Sequence, residues 1–464
     1  MQVGPLFINL DAISAFFTTQ PAWQVIIQLM ALGGWLLLVF LLMFAGVALW
    51  VEFKESRYTS HWSWVLLAID IPALNIQTPK AVEQLFAHLA GALGHDNIAK
   101  KFWHGTKQRY FSFEIVSIGG YIQFLIRTEA ALRDLVEAAV YAQYPEAEIV
   151  EVEDYVSDKP DKFPNEEYEM WGGDFTLSET DAYPIRTYRE FEHTISKDTQ
   201  LKDPMSALLE SFSRIATGEE LWFQMLIQPT GSGWKEKAIE KVKELIGDTG
   251  GHGHGGIGDT VLDFFHNAPM QALEFIGDQI FNREAGEHAG HEEKEGPPNK
   301  IQYLTPGESK LVEAMENKIA KIGFKTKIRA IYLGRKEVFS ETRGVPILVG
   351  ALNQFNSPSA NSLAPTFDVH VSYLGHAKRA ARRKRLLMKA YKKRKINVGA
   401  NPFMLNIEEL ATIWHFPMSY VKTPLLQKAV AKQSEPPASL PIERTLPPPS
   451  EEEKPTEPPP FRFG

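Results

Sequence analysis

Between Ala12 and Val51 the chain carries no charged side chain, a run of forty positions. Its apolar part, Val25 to Trp50, reads VIIQLMALGGWLLLVFLLMFAGVALW and is longer than the roughly 20 residues a helix needs to cross hydrocarbon. The expectation is one transmembrane helix over residues 21–53 with the lipid bilayer as its partner. Trp23, Trp35 and Trp50 would be its membrane contacts, Trp23 and Trp50 lying where aromatic rings prefer the interface. Gly33, Gly34 and Gly46 are tolerable there because a helix in lipid keeps its backbone bonds. A cleavable signal peptide is disfavoured, since the run is long, lacks a basic start and is followed by no small-residue cleavage site. No Lys or Arg precedes the run, whereas Lys54 and Arg57 follow it. The positive-inside rule therefore puts residues 1–20 outside and the bulk in the cytoplasm, as a single-pass protein of the inner membrane.

Beyond the run, the hydrophobic period alternates between that of strands and that of helices. Trp64 to Ile71 reads as a strand, and Pro79 to Leu93 puts Val82, Leu85, Phe86, Leu89 and Leu93 on one helical face. Tyr110–Ser117 and Tyr121–Arg127 flank Gly119-Gly120 as a hairpin. A helix over Glu129–Tyr144 and a strand over Ala147–Val152 complete the order of a split βαβ, ferredoxin-like unit at residues 60–156. After a charged connector, Asp158 to Asn165, a second α+β unit spans 166–375. There Asp203-Pro204 opens a helix, with the aspartate as its N-cap, and Leu221–Gln228, Trp234–Ile246, Pro306–Ile322, Lys325–Leu333 and Glu337–Leu352 continue the alternation. The fold class expected is thus α+β: a transmembrane helix, two ferredoxin-like cytoplasmic modules, a basic helix with a small helical segment at 376–433, and a disordered Pro/Glu-rich tail at 434–464. Residues 247–300 interrupt the second module with a flexible Gly/His/acidic insertion, in which 261–281 is the apolar stretch.

Charge is unevenly placed. Eleven of the 49 Lys and Arg residues fall between Lys378 and Lys395, so the remainder carries a formal −19, 38 bases against 57 acids. The segment KRAARRKRLLMKAYKKRK offers Lys378, Arg379, Arg382, Arg383, Lys384, Arg385, Lys389, Lys392, Lys393, Arg394 and Lys395 to an anionic partner. Three partners are open to it: anionic lipid headgroups, nucleic-acid phosphates, or the protein's own acidic body or an acidic protein.

Candidate catalytic groups are scarce. There is no cysteine, which excludes disulfides, thiolate metal sites and a cysteine nucleophile and fits a reducing compartment. No Gly-Lys-Ser or Gly-Lys-Thr occurs, so no phosphate loop is present; GSGW at Gly231 reads as a turn. His252, His254, His266, His288 and His291 could ligate a metal, but they lie among glycines and acidic residues with nothing to hold them rigid. Glu313 and Glu316 read as a solvated helix face. No catalytic residue, metal ligand or cofactor is therefore assigned, and the protein is read as non-enzymatic.

Several segments together resemble one family. FSFEIVSIGGYIQFLIRT from Phe111, LRDLVEAAVYAQYPEAEIVEVEDY from Leu132, DPMSALLESFSRIATGEELWFQMLIQP from Asp203, GALNQFNSPSANSLAPT from Gly350, and LNIEELATIWHFP from Leu405 with VKTP at Val421 and PPASLP at Pro436 carry the resemblance. They resemble the membrane-proximal N-terminal region of bacterial type IV secretion coupling-protein-like conjugative DNA-transfer ATPases. The motor domain that follows this region in the family is absent from the chain. The resemblance implies a membrane-anchored scaffold or docking subunit of a secretion-like or DNA-transfer machine, partnering a motor ATPase encoded elsewhere, with homo-oligomerisation open to it. The alternative is a membrane-tethered module that binds nucleic acid or anionic lipid through residues 378–395.

Overall fold

The computed structural model describes residues 2–3, 6–7, 24, 31, 35–72, 75–94, 98–193, 200–201, 203–246, 304–370 and 376–418. Nine antiparallel strands form the main sheet: β1 Trp64–Asp70, β2 Phe111–Ile118, β3 Tyr121–Glu129, β4 Glu148–Glu151, β5 Tyr168–Leu177, β6 Glu219–Pro229, β7 Gly323–Arg335, β8 Leu363–Asp368 and β9 Phe403–Asn406. Their order is β8-β5-β7-β6-β2-β3-β1-β4. The long β7 shares one edge between two partners, β5 along Ile328–Arg335 and β9 along Gly323–Thr326. The helices are α1 Trp35–Thr59, α2 Pro79–Leu89, α3 Ile98–His104, α4 Arg133–Gln143, α5 Met205–Ser213, α6 Gly233–Ile246, α7 Pro306–Ile319, α8 Glu341–Asn353, α9 His376–Lys392 and α10 Ile407–Ile413.

This architecture corrects the expectation of a membrane helix followed by two small ferredoxin-like modules. The two halves repeat one strand order, β4-β1-β3-β2 and β8-β5-β7-β6, but they meet at a β2–β6 seam and form one continuous sheet. Composition explains the fusion. The seam strands read FSFEIVSI and EELWFQMLIQP, and every residue of both is buried except Ile118 and the half-buried Gln228. An apolar edge of that length left unpaired would present a row of unsatisfied N–H and C=O groups on a sticky surface. Pairing Phe111–Ile118 with Glu220–Ile227 removes both edges at once.

The spanning helix is corrected as well. Among the described residues no helix is long and apolar enough to cross a membrane, and the single-pass inner-membrane placement falls with it. The described helix α1 begins at Trp35, and charge enters at Glu52, Lys54, Glu55 and Arg57. Its uncharged part, Trp35–Val51, is seventeen residues, about 25 Å at a rise of about 1.5 Å per residue, against a hydrocarbon core of about 30 Å. Trp23 lies outside the described residues, and Trp35 is exposed on α1. Trp50 has a partner within the protein: its Nε1 donates to the Phe102 carbonyl (3.1 Å) and its ring meets that of Phe102 at 6.4 Å. The residue expected at a lipid interface thus fixes α1 to α3. Gly105, just past α3, makes that approach possible with φ +69°, because a Cβ there would lie 2.2 Å from the Lys54 backbone carbon.

The helices sort onto the two faces of the sheet by strand alternation. On the first face Phe113, Ile115, Phe223, Met225, Phe324 and Ile328 pack against α2, α4, α5, α8 and α10. On the second, Leu66, Val116, Leu125, Trp222 and Ile331 are covered by α9 and by the connector after β4, through Met388, Tyr391, Val156 and Phe163. The pair α6 and α7 forms a satellite core of Ala238, Val242, Met315 and Ile319, with α7 opened by a Thr305–Glu308 capping box. Elements to which the sequence reading assigns no helix or strand are α3, β8 and β9, each of seven residues or fewer, and β5, whose alternation is broken by Gly172-Gly173.

Candidate anion-binding face

The second face of the sheet holds a polar row where an apolar one would be expected. Asp174 on β5 lies opposite Arg329 on β7, Arg329 opposite Gln224 on β6, and Gln224 opposite Glu114 on β2. All four are fully buried. Each is a charged or amide residue with apolar neighbours on both sides or a glycine before it: Glu114 in FEIV, Gln224 in LWFQML, Arg329 in IRAIY, Asp174 in GGDF. A polar residue at a position that alternation turns inward was the signal available in the sequence, and it marks where something charged must arrive.

The arriving group is Arg394, at the end of the basic segment. Helix α9 stops because Arg394 takes a left-handed conformation, φ +48°, in which Lys395 N–H donates to the Ala390 carbonyl (2.9 Å) and Arg394 N–H to that of Tyr391 (2.9 Å). Glycine is the usual residue here, and an arginine is held at a cost of about 1–2 kcal/mol. What offsets the cost is the guanidinium, turned into the sheet. Nε and Nη2 donate to the two Glu114 oxygens (3.0 and 3.1 Å), and Nη1 and Nη2 to the two Asp154 oxygens (2.5 and 2.9 Å). Such forked, charge-assisted pairs are the strong class of hydrogen bond. Glu114 also accepts from Ser112 (2.5 Å), Tyr155 (2.8 Å) and Gln224 (3.1 Å). Burial by itself would raise the Glu114 carboxyl, but the Arg394 charge and these donors outweigh it and hold it below the usual carboxylate range. Tyr155 and Tyr391 share a 2.7 Å hydrogen bond, and burial, with Glu114 beside them, pushes both phenols well up.

The other end of the row fixes the chain after Arg394. Arg329 donates to Asp174 (2.6 Å) and to the Val398 carbonyl (2.7 Å); Lys327 pairs with Asp174 (2.9 Å) and donates to the Ala400 carbonyl. Gly399, at φ +89°, lets this loop pass over Asp174, since a Cβ would sit 1.9 Å from its Oδ2. Burial, with Arg329 adding like charge against the pull of Asp174, lowers the Lys327 ammonium to about 8.

The structure therefore divides the basic segment in two. Turned inward are Arg394, Lys392 on Asp161 (2.6 Å), Lys384 on Glu169 (2.5 Å), and Arg383, which donates to the His370 carbonyl (2.9 Å) and lies over the Phe367 ring at 5.0 Å. Turned outward and exposed are Lys378, Arg379, Arg382, Arg385, Lys389, Lys393 and Lys395. Lys378, Arg382, Arg385, Lys389 and Lys393 follow one another by four, three, four and four positions, so they line one side of α9 and its C-terminal turn. The stems of the inward set and Leu387, Met388, Ala390 and Tyr391 supply the apolar side that the helix packs on the sheet.

The histidine group His252, His254, His266, His288 and His291, the stretch 261–281 and the tail 434–464 lie outside the described residues. Among the described residues, no group of three or more His, Asp or Glu is placed to hold a metal. A further buried constellation, Asp203 with His415, was read in the sequence only as a helix N-cap. Asp203 accepts from Met205 N–H (2.7 Å), Met418 N–H (2.9 Å) and His415 Nε2 (2.8 Å), while His415 Nδ1 sits 2.7 Å from the Ala411 carbonyl. That carbonyl only accepts, so Nδ1 carries hydrogen and the ring clasps α10 to the start of α5. Burial raises the Asp203 carboxyl; the His415 charge and the donors outweigh it and lower it overall.

With this geometry in view, comparison with known proteins gives one family. Residues 72–429 match the family described as Domain of unknown function (DUF8128). The chain belongs to that family. The match covers every strand of the main sheet from β2 to β9 and the whole of α9, so the polar row and the outward stripe both lie within the DUF8128 region. No curated protein matches the chain.

Proposed function

We propose that this DUF8128 protein is a non-enzymatic binding module that takes the phosphate backbone of a nucleic acid along the outer side of α9. One observation carries the reading: the segment's cations are sorted, with Arg394, Lys392 and Lys384 turned in onto carboxylates and Lys378, Arg382, Arg385, Lys389 and Lys393 exposed along the solvent side over about 22 Å of helix. A helix needed only for internal neutralisation has no use for a second cationic stripe on its far side, where like charges four apart repel. Phosphates spaced regularly along a strand offer the matching array of counter-charges. The buried carboxylates Glu114, Asp174 and Glu409 are each taken up by a cation, Arg394, Arg329 and Lys318, and Asp203 by the His415 ring, which leaves them structural. The resemblance to DNA-transfer proteins points to the same partner.

Fluorescence anisotropy with labelled DNA across a salt series tests this. Binding should weaken steeply with salt, and Arg382→Glu/Arg385→Glu/Lys389→Glu should abolish it while leaving thermal unfolding within a few degrees of wild type. Salt-independent binding, or equal binding by the triple variant, overturns the reading.

The apolar surface of α1 favours a second role, as the assembling subunit of a larger machine. Leu38 through Met43 are six consecutive exposed residues, so apolar surface faces outward all round the helix, and no one-sided groove could cover it. A bundle of α1 helices from several copies of this chain would, and such an oligomer is the form on which a separately encoded motor ATPase would dock. Light scattering should give a multimer that Leu42→Glu dissolves. A wild-type monomer, or recovery on lipid vesicles as monomers, counts against it.

A further inference from the structure

Between the end of α1 and the start of β2, four aromatic rings form an unbroken row. Tyr58 meets Trp62 at 6.0 Å, Trp62 meets Trp64 at 5.8 Å, and Trp64 meets Tyr110 at 5.1 Å between centroids. None of the four is buried, and Tyr58 is 38% exposed. The first two contacts are edge-on, at 73° and 66°, so the rings are not stacked over one another and ring faces stay open. The Arg127 guanidinium lies over the Trp64 ring, 4.3 Å from its centroid. The acids beside the row are already paired: Glu129, opposite Trp64, with Arg109 (2.6 Å), and Glu55, three residues before Tyr58, with Lys101 (3.6 Å) and Lys107 (3.3 Å).

Strand register ties this row to the basic helix. Trp64 and Arg127 stand on the second face of the sheet, two residues from Leu66 and Leu125 of its core. Arg127 lies opposite Ser112, and Ser112 donates to Glu114, the carboxylate forked by Arg394 at the end of α9. From Glu114 to Ser112 is one same-face step along β2, about 7 Å at about 3.4 Å per residue. The basic segment is therefore anchored within one such step of the cation that backs the row, on the same side of the sheet. Cations that track a backbone, followed by part-exposed rings, suit an unpaired strand, whose phosphates meet the first and whose flat bases meet the second. A duplex keeps its bases stacked on one another and has no use for the rings. We propose that Tyr58, Trp62 and Trp64 form a base-stacking ledge, and that the nucleic acid taken along α9 is single-stranded.

The inference rests on the α9 reading and adds the form of the nucleic acid. Fluorescence anisotropy of the full chain with labelled oligo-dT, and with a duplex of equal length, tests it. A duplex has the higher charge density, so a stripe that reads phosphate alone prefers it. Wild type should instead bind oligo-dT more tightly, with quenching of its tryptophan fluorescence. Trp62→Leu should weaken oligo-dT binding roughly 5- to 100-fold and leave duplex binding unchanged, while Trp62→Phe, which keeps a ring, should retain most of it. Tyr58→Leu, at the most open ring of the row, should act in the same direction with little effect on folding. Trp103→Leu is the control: that ring meets Phe102 and is 62% exposed, more open than any in the row, and its loss should change neither affinity. The Arg382→Glu/Arg385→Glu/Lys389→Glu variant should lose both oligonucleotides. A wild type that prefers the duplex, and loses it in that variant, therefore keeps the α9 reading and overturns the ledge. Equal losses on both oligonucleotides for Trp62→Leu and Tyr58→Leu, or no loss on either, overturn it too, as does binding to anionic phospholipid vesicles that Trp62→Leu abolishes.

Discussion

On one face of the sheet Phe113 packs edge-on against Phe86 and Trp414, with ring centroids 4.9 and 4.8 Å apart; on the other, one residue along the same strand, Glu114 is forked by Arg394. Both side chains are fully buried, so solvent exposure does not tell the faces apart. What differs is how each is satisfied. The aromatic face asks only for volume and shape, and any apolar neighbour of the right size contributes. The polar face asks for particular partners in particular directions, and one missing partner strands a charge. The first face is a core; the second is a lock that only one segment of the chain fits, and it decides where that segment's other cations point.

The largest effects should come from removing one member of each face. Arg394→Met leaves Glu114 and Asp154 without their cation and should cost about 3–5 kcal/mol at neutral pH. Phe113→Ala should cost a similar 3–5 kcal/mol through lost packing. Urea unfolding at several pH values separates them. The Arg394→Met penalty should shrink in acid, where an unpaired Glu114 can take up a proton, and the Phe113→Ala penalty should stay constant. Equal pH dependence would erase the distinction between the faces.

A smaller effect belongs to the lowered carboxyls. Glu114 and Asp203 titrate below their unfolded values, so the stability they contribute is complete above about pH 4 and lost as pH falls through the lowered folded values. Asp203→Asn, which weakens the clasp on His415, should remove about 1–3 kcal/mol at neutral pH and flatten the acid limb. Unfolding followed from pH 2 to 6 checks this.

The smallest effect, of opposite sign, is expected at Lys327. Its ammonium is lowered to about 8, so between that pH and about 10.4 the unfolded chain holds a proton the folded protein has shed. Stability should therefore rise with pH across that window. Lys327→Met leaves Asp174 its pair with Arg329 and should be neutral or stabilising by about 1 kcal/mol at pH 7, with the alkaline rise gone. A clear loss at pH 7 would show Lys327 to be as necessary to the lock as Arg394.

Most helices and strands of the fold were legible because their period is local. The face Leu208, Leu209 and Phe212 announces α5, and the alternation around Gly119-Gly120 announces the β2–β3 hairpin. The short β8 and β9 were not, since six residues or fewer hold too little period to stand out, and neither was β5, where Gly172-Gly173 interrupts the alternation. The uncharged run before Glu52 was legible as apolar, but its reading as a membrane span did not survive: the described α1 is too short in its apolar part, and Trp50 is committed to Phe102. The site was legible as a charge count and illegible as a surface. KRAARRKRLLMKAYKKRK states how many cations there are, yet nothing within it says that Arg394 is spent inside and Lys389 is not.

The sequence by itself determined the repeating order of strands and helices, the placement of eleven cations in one segment, and the few charged and amide residues set into apolar strands. Tertiary structure alone decided that two halves close into one sheet at β2 and β6, and that Glu114 finds a partner 280 positions away. The reason is range. Periodicity and charge density are carried by neighbours along the chain, whereas the sorting of cations into buried and outward sets depends on which strand lies beneath each side chain, and that is fixed only when distant strands pair.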